Sequence, residues 1–229
     1  MAAFIARKRL YLFTCLLFLS ISFYAQSDTL LNEKKVIAAL QKHYGERAVK
    51  RGKAWLEIIS SSQQQTDLEK LAKVNQFFNL LHFVDDSDIW GDKNYWATPI
   101  EFIGANAGDC EDFAIAKYFT LLEMGIEDSK MRLTMVKALK LNQYHMVLSY
   151  YDKPSSIPLI LDNIDGEIKL ADSRPDLFPI YSFNGKQLWL NKEKGQGVVS
   201  GASDRITRWK HLNQRMGISQ LRKSILSME

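Results

Sequence analysis

The chain has little net charge. Its 229 residues carry a formal charge of +4, and three of the positive charges, Arg7, Lys8 and Arg9, lie in an amino-terminal segment without acidic residues. If residues 1–27 are removed, the formal charge falls to +1, so electrostatics gives no reason to expect nucleic acid as a partner. With 46% hydrophobic and 24% charged residues, the composition indicates a globular protein and excludes a disordered or fibrous one.

The amino terminus lacks an apolar run long enough to cross a membrane comfortably. The apolar run at residues 10–23 follows the basic cluster and precedes Ala25 and Ser27, whereas a span needs about 20 apolar residues. This order of basic, apolar and small residues is typical of a secretory signal peptide. We predict that residues 1–27 are a signal peptide; cleavage after Ser22 and an uncleaved anchor are the alternatives.

Cysteine is scarce, with two in the whole chain. Cys15 lies inside the predicted signal peptide, so Cys110 is the one cysteine expected after export. A single cysteine cannot form an intrachain disulfide, even in an oxidising compartment. Such a thiol is either buried and inert or kept for its chemistry.

The residues around Cys110 favour the chemical interpretation. In the stretch 108–124, GDCEDFAIAKYFTLLEM, Asp109 is suited to be a helix N-cap and Asp112 to be a first-turn acid. Gly125 predicts the helix end. Cys110 would then be the first helical residue, where unpaired backbone N–H groups and the helix dipole favour a thiolate.

Helical patterns dominate before Cys110. Apolar residues at helical spacing predict helices near residues 36–44, 46–59 and 67–81. Residues 83–107 read as a long acidic and aromatic connection, in which Trp90 occupies a ligand position that excludes an EF-hand. Long loops in compact domains tend to be functional. We therefore expect Trp90 and Trp96 either to line an exposed groove or to pack as ordinary aromatic residues.

Strand-like patterns follow Gly125. Short segments rich in β-branched and aromatic residues, separated by turn signals, predict an antiparallel sheet with strands at 131–139, 144–151, 159–164, 168–172 and 186–190. Helices followed by such a sheet predict an α+β domain, with the Cys110 helix packed on one sheet face. His145 and Asp162 lie on successive strands, and a nucleophilic cysteine needs a histidine base that a carboxylate orients.

Several segments of this chain together resemble one known protein family. The chain from Val74 to about residue 190 resembles the bacterial transglutaminase-like cysteine proteinases, and more narrowly the LapG-type periplasmic proteases. The matching segments are FVDD (83–86), YWATPIEF (95–102), GDCEDFAIAKY (108–118), LNQYHMVL (141–148) and LDN (161–163).

The resemblance implies a papain-like, transglutaminase-like core and endopeptidase activity in the periplasm. It makes Cys110 the nucleophile, His145 the general base and then acid, and Asp162 the residue that orients His145. The implied substrate is a large secreted adhesin, cut beside a pair of alanines in its amino-terminal retention region.

The resemblance also implies Ca²⁺, held by Asp109 and Glu111 and, less securely, by Asp112. The alternative is that Asp109 and Asp112 only cap the helix, although both roles can coexist. The implied regulator is an inner-membrane receptor for cyclic di-GMP, and an exposed Trp90 and Trp96 region is one candidate contact surface for it.

The tail after residue 191 completes the predicted domain. Residues 192–203 read as a polar connection, and 204–226 read as a basic amphipathic helix that docks on the domain or lies on a membrane. We predict a single domain over residues 28–229, with a helical lobe (28–82), a catalytic core (83–192) and this terminal helix.

Two other function classes stay open. A transglutaminase would pass the same thioester to an amine instead of water, and a labelled amine would reveal this. A calcium-dependent binding module with a vestigial triad would leave Cys110 unreactive towards an electrophilic thiol inhibitor.

Overall fold

A computed structural model describes residues 32–191, 197–226 and 228 of the chain. The predicted signal peptide, residues 1–27, lies outside the described residues. Within them, no helix is long and apolar enough to cross a membrane.

Three helices form the amino-terminal part, as predicted. They are α1 (Glu33–Tyr44), α2 (Glu46–Ser60) and α3 (Asp67–Phe78). Gly45, with φ 86°, separates α1 from α2 because the left-handed region favours glycine. A capping box between Thr66 and Glu69 begins α3. The prediction extended α3 to residue 81, but Asn79 ends it and the next two residues form tight turns.

The prediction that residues 83–107 form a long connection is wrong, because this segment contains helices and strands. β1 (His82–Phe83), α4 (Asp86–Ile89), α5 (Pro99–Ala105) and β2 (Ala107–Gly108) occur here, and β1 pairs with β2 in parallel. α5 begins with a second capping box, between Thr98 and Glu101, and has proline at its first position. Trp90 and Trp96 are only 1% and 3% exposed, so they pack in the core and do not form an exposed surface.

The helix α6 (Cys110–Glu123) has the predicted start, with Asp109 as N-cap. It ends at Met124 and Gly125. Almost every side of α6 is buried, since α3 and α5 pack against it and the sheet lies beyond. In the last turn of the helix, Thr120 accepts a hydrogen bond from the Trp55 indole of α2 at 2.8 Å. This packing fixes the position of α6 and so of Cys110, its first residue.

A seven-stranded antiparallel sheet follows, in the order β6-β5-β4-β3-β7-β8-β9. Its strands are β3 (Met131–Ala138), β4 (Gln143–Tyr150), β5 (Leu159–Leu161), β6 (Lys169–Leu170), β7 (Leu177–Phe183), β8 (Gln187–Leu190) and β9 (Val198–Ala202). α6 packs on β4 and β3, which confirms the α+β class and the predicted packing of this helix. We call this face of the sheet the inner face and the opposite one the outer face.

Two strands of this seven-stranded sheet were not predicted. β7 contains Pro179, which lies where the pairing with β3 shifts register between Met135 and Val136. A bulge tolerates proline, which cannot donate to the strand ladder. β9 occupies part of the predicted connection at 192–203; it is an edge strand, and its Ser200 and Gly201 resemble loop composition.

The predicted helix at 204–226 is also wrong in its extent. α7 covers only Thr207–Arg215, and Gly217 has φ 106° just beyond it. The chain then runs back without helix over α5 and α4, and Ile225 N–H donates to the Ile89 carbonyl at 2.9 Å. The guanidinium groups of Arg215 and Arg222 lie over the Tyr95 ring. These two basic residues therefore fasten the tail to the protein.

Candidate active site

His145 and Asp162 form a buried pair. They are 2% and 1% exposed, and His145 Nε2 lies 2.7 Å from Asp162 Oδ1. His145 is on β4, and Asp162 directly follows β5 on the neighbouring strand. The structure thus brings together the two residues that sequence analysis proposed as base and orienting carboxylate.

Asp162 is held as a carboxylate. Its Oδ1 also accepts from the Ile164 N–H at 3.0 Å, and its Oδ2 accepts from Arg174 Nη2 at 2.8 Å. Burial raises the pKa of Asp162, but the hydrogen bond and charge of His145, followed by the other donors, outweigh it and hold that pKa well below its usual range. An ionised carboxylate only accepts hydrogen bonds, so His145 Nε2 carries the proton and Nδ1 is free to act as a base.

Cys110 lies next to this pair because its sulfur contacts the backbone of β4, the strand that contains His145. The backbone N–H of Met146, the residue after His145, donates to the cysteine sulfur. The thiol itself donates to Glu111 Oε2 at 2.8 Å. Burial, followed by the negative charges of Glu111 and Asp109, raises the pKa of Cys110. The expectation from the helix amino terminus alone, a lowered pKa, is therefore wrong in this environment.

A cluster of carboxylates lies beside Cys110. Asp86, Asp109 and Asp112 each place one carboxylate oxygen within 4.8 Å of the other two. A second set within the same distance contains oxygens of Asp109 and Glu111 and the Cys110 sulfur. The carboxylate of Asp112 accepts from the Ala97 N–H at 2.7 Å. Three of these acids were predicted as ligands, but Asp86 was not, although the FVDD segment that contains it is part of the family resemblance.

The cluster has the properties of a cation site. Asp86 Oδ1 is buried and has no hydrogen-bond partner. Burial, followed by the charge of Asp112, raises the pKa of Asp109 to about 11. Burial, together with the charges of Glu111 and Asp92, raises the pKa of Asp86 to about 7. Several buried carboxylate oxygens that repel one another are the ligand set that Ca²⁺ prefers.

Gly108 makes room for this cluster. A Cβ at this position would overlap with the Asp112 carboxylate, which the Ala97 N–H and the Trp90 indole hold from other sides. Glycine is therefore required because of this close approach, and β2, which contains Gly108, packs directly beneath the acidic cluster.

Lys117 is a buried cation on the inner side of Asp162. Its Nζ donates to the Asp162 carbonyl at 3.1 Å. Burial lowers the pKa of Lys117 from 10.5 to about 7, and the charge of Asp162 offsets this only partly. The unfolded chain thus binds more protons than the folded one between pH 7 and about 10, so the free energy of unfolding should rise with pH across this interval.

We expect Lys117→Met to flatten that rise, because methionine carries no titrating group. Urea unfolding midpoints at pH 6, 7, 8 and 9 measure the slope. Lys130→Met is the matched control, since Lys130 is partly exposed and its pKa is raised by Asp67. An unchanged slope in Lys117→Met would show that Lys117 does not titrate in this range.

The chain is similar to known proteins both in sequence and in structure. Residues 46–197 match the family model of the bacterial transglutaminase-like cysteine proteinases. Legionella pneumophila LapG is similar in three solved structures, each 42% identical and covering 80% of this chain. The EGTA-treated form has a TM-score of 0.72 with 96% of its chain covered, and the calcium-bound form has 0.69 with 98%.

A comparison with curated proteins finds no match. The family model covers well over half of the chain, and the LapG structures match nearly their whole length. The chain belongs to the bacterial transglutaminase-like cysteine proteinases.

Proposed function

We propose that this protein is a periplasmic, calcium-dependent cysteine endopeptidase that cleaves the amino-terminal retention region of a large surface adhesin near a di-alanine site. Cleavage would release the adhesin and promote biofilm dispersal. The observation that carries the proposal is the buried pair of His145 and Asp162 beside Cys110, in a chain of this family.

Cys110, His145 and Asp162 divide the work of peptide cleavage in this proposal. The Cys110 thiol, which hydrogen-bonds to Glu111 in the structure, turns to His145 Nδ1 and gives it its proton while the sulfur attacks the peptide carbonyl carbon. The C–N bond then breaks, His145 returns the proton to the departing amine, and a thioester remains on Cys110. His145 next takes a proton from water, which attacks the thioester and releases the acid and the free thiol.

The start of α6 also supplies a hydrogen-bond donor for the reaction. The backbone N–H of Cys110 has no acceptor within its own helix, since it is the first helical residue. It can donate to the oxyanion that forms when the sulfur attacks. Asp162 Oδ1 meanwhile accepts the hydrogen bond from His145 Nε2, which stabilises the imidazolium.

Ca²⁺ fits the acidic cluster, and Legionella pneumophila LapG has been solved with calcium bound. We propose Asp86, Asp109 and Asp112 as ligands because their oxygens converge, with Glu111 at the edge of the site. Bound there, the ion would neutralise the negative charge that surrounds the thiol. Capping and calcium binding coexist at Asp109, which accepts the Glu111 N–H at 3.1 Å.

Asp86→Asn should weaken calcium binding, because it removes the charge of the carboxylate whose oxygen lacks a partner. At calcium a hundredfold above its Kd, binding stabilises the wild type by about 2.7 kcal/mol, which raises Tm by roughly 5–10 °C for a chain of this size. Thermal melting with calcium and with a chelator measures this difference.

Asp88→Asn is the matched control, since Asp88 is on the same helix, α4, but is exposed. It should keep the full calcium-dependent rise in Tm. An equal rise in Asp86→Asn, or no rise in the wild type, would contradict the proposed site.

The periplasmic location is proposed from the basic, apolar and small residues at the amino terminus and from the family. An inner-membrane receptor for cyclic di-GMP is proposed as the regulator. Trp90 and Trp96 do not support a contact surface for it, because both are buried.

The proposed function is tested by incubating the purified protein with an amino-terminal adhesin fragment from the same organism, in calcium and in a chelator, followed by intact-mass analysis. We expect one cleavage in calcium only, absent in Cys110→Ala. Transfer of a labelled amine to the new carboxyl terminus would instead indicate a transglutaminase. No cleavage by folded, calcium-loaded protein would contradict the proposal.

A further inference from the structure

Arg174 approaches Asp162 from the side opposite His145. The side chain of Arg174 is 5% exposed, and its Nη2 lies 2.8 Å from Asp162 Oδ2. Asp176 fixes the guanidinium in turn, with Nε to Oδ1 at 3.0 Å and Nη2 to Oδ2 at 2.9 Å. Arg174 follows a short 3-10 helix after β6, so it reaches Asp162 from a part of the chain that carries no other proposed site residue.

The two carboxylate oxygens of Asp162 have separate partners. Oδ1 faces His145 and the Ile164 N–H, whereas Arg174 is the partner of Oδ2 among the described residues. Without Arg174, a buried charged oxygen would lose its hydrogen bond, and the carboxylate could rotate away from His145. Nη2 gives Oδ2 one charge-assisted hydrogen bond, and the fork of Nε and Nη2 on Asp176 holds the guanidinium in place for it.

We propose that Arg174 is a positioning residue for catalysis, which holds the Asp162 carboxylate in the orientation that keeps His145 directed at Cys110. This inference rests on the proposed cysteine endopeptidase activity. It adds a fourth residue to the site, which acts through Asp162 and does not touch the substrate.

Burial distinguishes the Arg174–Asp162 pair from two surface ion pairs among the described residues. The Lys130–Asp67 and Lys169–Asp165 pairs are each about a third exposed, whereas both partners of the Arg174–Asp162 pair are buried. Arg174 also lines a cavity of about 560 Å³ on the outer face of the sheet, with Val136 and Val147 in its wall. This cavity offers a small guanidinium ion a route to the position of the arginine head group.

Three variants separate positioning from folding. Arg174→Ala removes the guanidinium, Arg174→Lys keeps the charge but not the fork, and Lys130→Met breaks a remote ion pair as the control. We expect kcat on the adhesin fragment to fall about 10- to 100-fold in Arg174→Ala with KM nearly unchanged. Arg174→Lys should recover only part of this loss, and added guanidinium chloride at low millimolar concentration should raise kcat of Arg174→Ala but not of Lys130→Met.

A second measurement needs no substrate. The proton on His145 Nε2, in its short bond to Asp162, should give a low-field NMR resonance that His145→Ala lacks. We expect this resonance to move or broaden in Arg174→Ala and to stay unchanged in Lys130→Met. If Arg174→Ala does not fold, Asp176→Asn, which loosens Arg174 from its exposed side, should produce the same changes to a smaller extent.

The failures of the two proposals look different. If the wild type cleaves the fragment and the folded Arg174→Ala or Asp176→Asn keeps the wild-type kcat, the positioning role is overturned while the endopeptidase stands. If the wild type does not cleave, the proposed function fails, and an unchanged His145 resonance in the variants would overturn the role of Arg174 independently.

Discussion

Replacing His145 by alanine should lower kcat by about 10²- to 10⁴-fold, because the Cys110 thiol loses the base that takes its proton and the acid that protonates the leaving amine. The effect should be large because burial and neighbouring carboxylates raise the pKa of Cys110, so the thiol depends on a base. Steady-state cleavage of the adhesin fragment in saturating calcium measures it.

His211→Ala is the control for this experiment. His211 lies on the exposed side of α7, so its loss should leave kcat unchanged. Calcium-dependent melting should stay normal in His145→Ala, since the acidic cluster does not include His145. A His145→Ala variant with more than a tenth of the wild-type kcat would argue against a general-base role.

Glu101→Ala should lower the free energy of unfolding by about 3–5 kcal/mol, because it leaves buried donors and a cation without their partner. The Glu101 side chain is fully buried and accepts from the Thr98 N–H at 2.8 Å, the Tyr95 hydroxyl at 2.8 Å and the Arg222 N–H at 2.7 Å. Arg215 adds an ion pair at 3.2 Å. One carboxylate thus joins α5, the loop before it and the tail after α7.

Glu69→Ala is a matched control, because Glu69 has the same capping-box position on α3 but lies at the surface. Urea unfolding should show a much smaller loss for Glu69→Ala than for Glu101→Ala. Equal losses would mean that the capping box, and not the junction with the tail, accounts for the effect.

Glu101 also connects stability with the site. Arg215, its partner, donates to the Trp96 carbonyl at 2.5 Å, and the next residue, Ala97, donates its N–H to Asp112. The tail therefore supports the loop that orients one carboxylate of the acidic cluster. Loosening this junction should weaken calcium binding as well as the fold.

Local signals in the sequence predicted the start of the Cys110 helix to the residue and its end to within one residue. Asp109 and Gly125 act within one or two turns of the helix ends, so their meaning does not depend on the rest of the fold. Asp112, predicted as a capping acid, instead accepts from the Ala97 N–H and the Trp90 indole. Local patterns also predicted α1, α2 and the strong strands β3 and β4, with ends within three residues of the observed ones. The capping box at Thr98 was an equally local signal, and recognising it would have revealed α5 inside the supposed loop.

Other features depend on long-range contacts. Asp86 joins the acidic cluster only because α4 and the start of α6 meet in space, and no spacing rule relates the two segments. Arg174 reaches Asp162 for the same reason. The tail after Arg215 has a helical apolar pattern, but its contacts with Glu101 and Ile89 hold it in a path without helix. The raised pKa of Cys110 reflects burial, which sequence alone does not give.

The measurement that tests the account most directly is capture of the acyl-enzyme. Purified protein in calcium is mixed with the adhesin fragment, quenched with acid at short times and analysed by intact mass and peptide mapping. We predict a transient adduct on Cys110 with the mass of the amino-terminal product as an acyl group, which decays as that product appears. Cleavage without any adduct, or cleavage that persists in Cys110→Ala, would contradict the assignment of Cys110 as nucleophile.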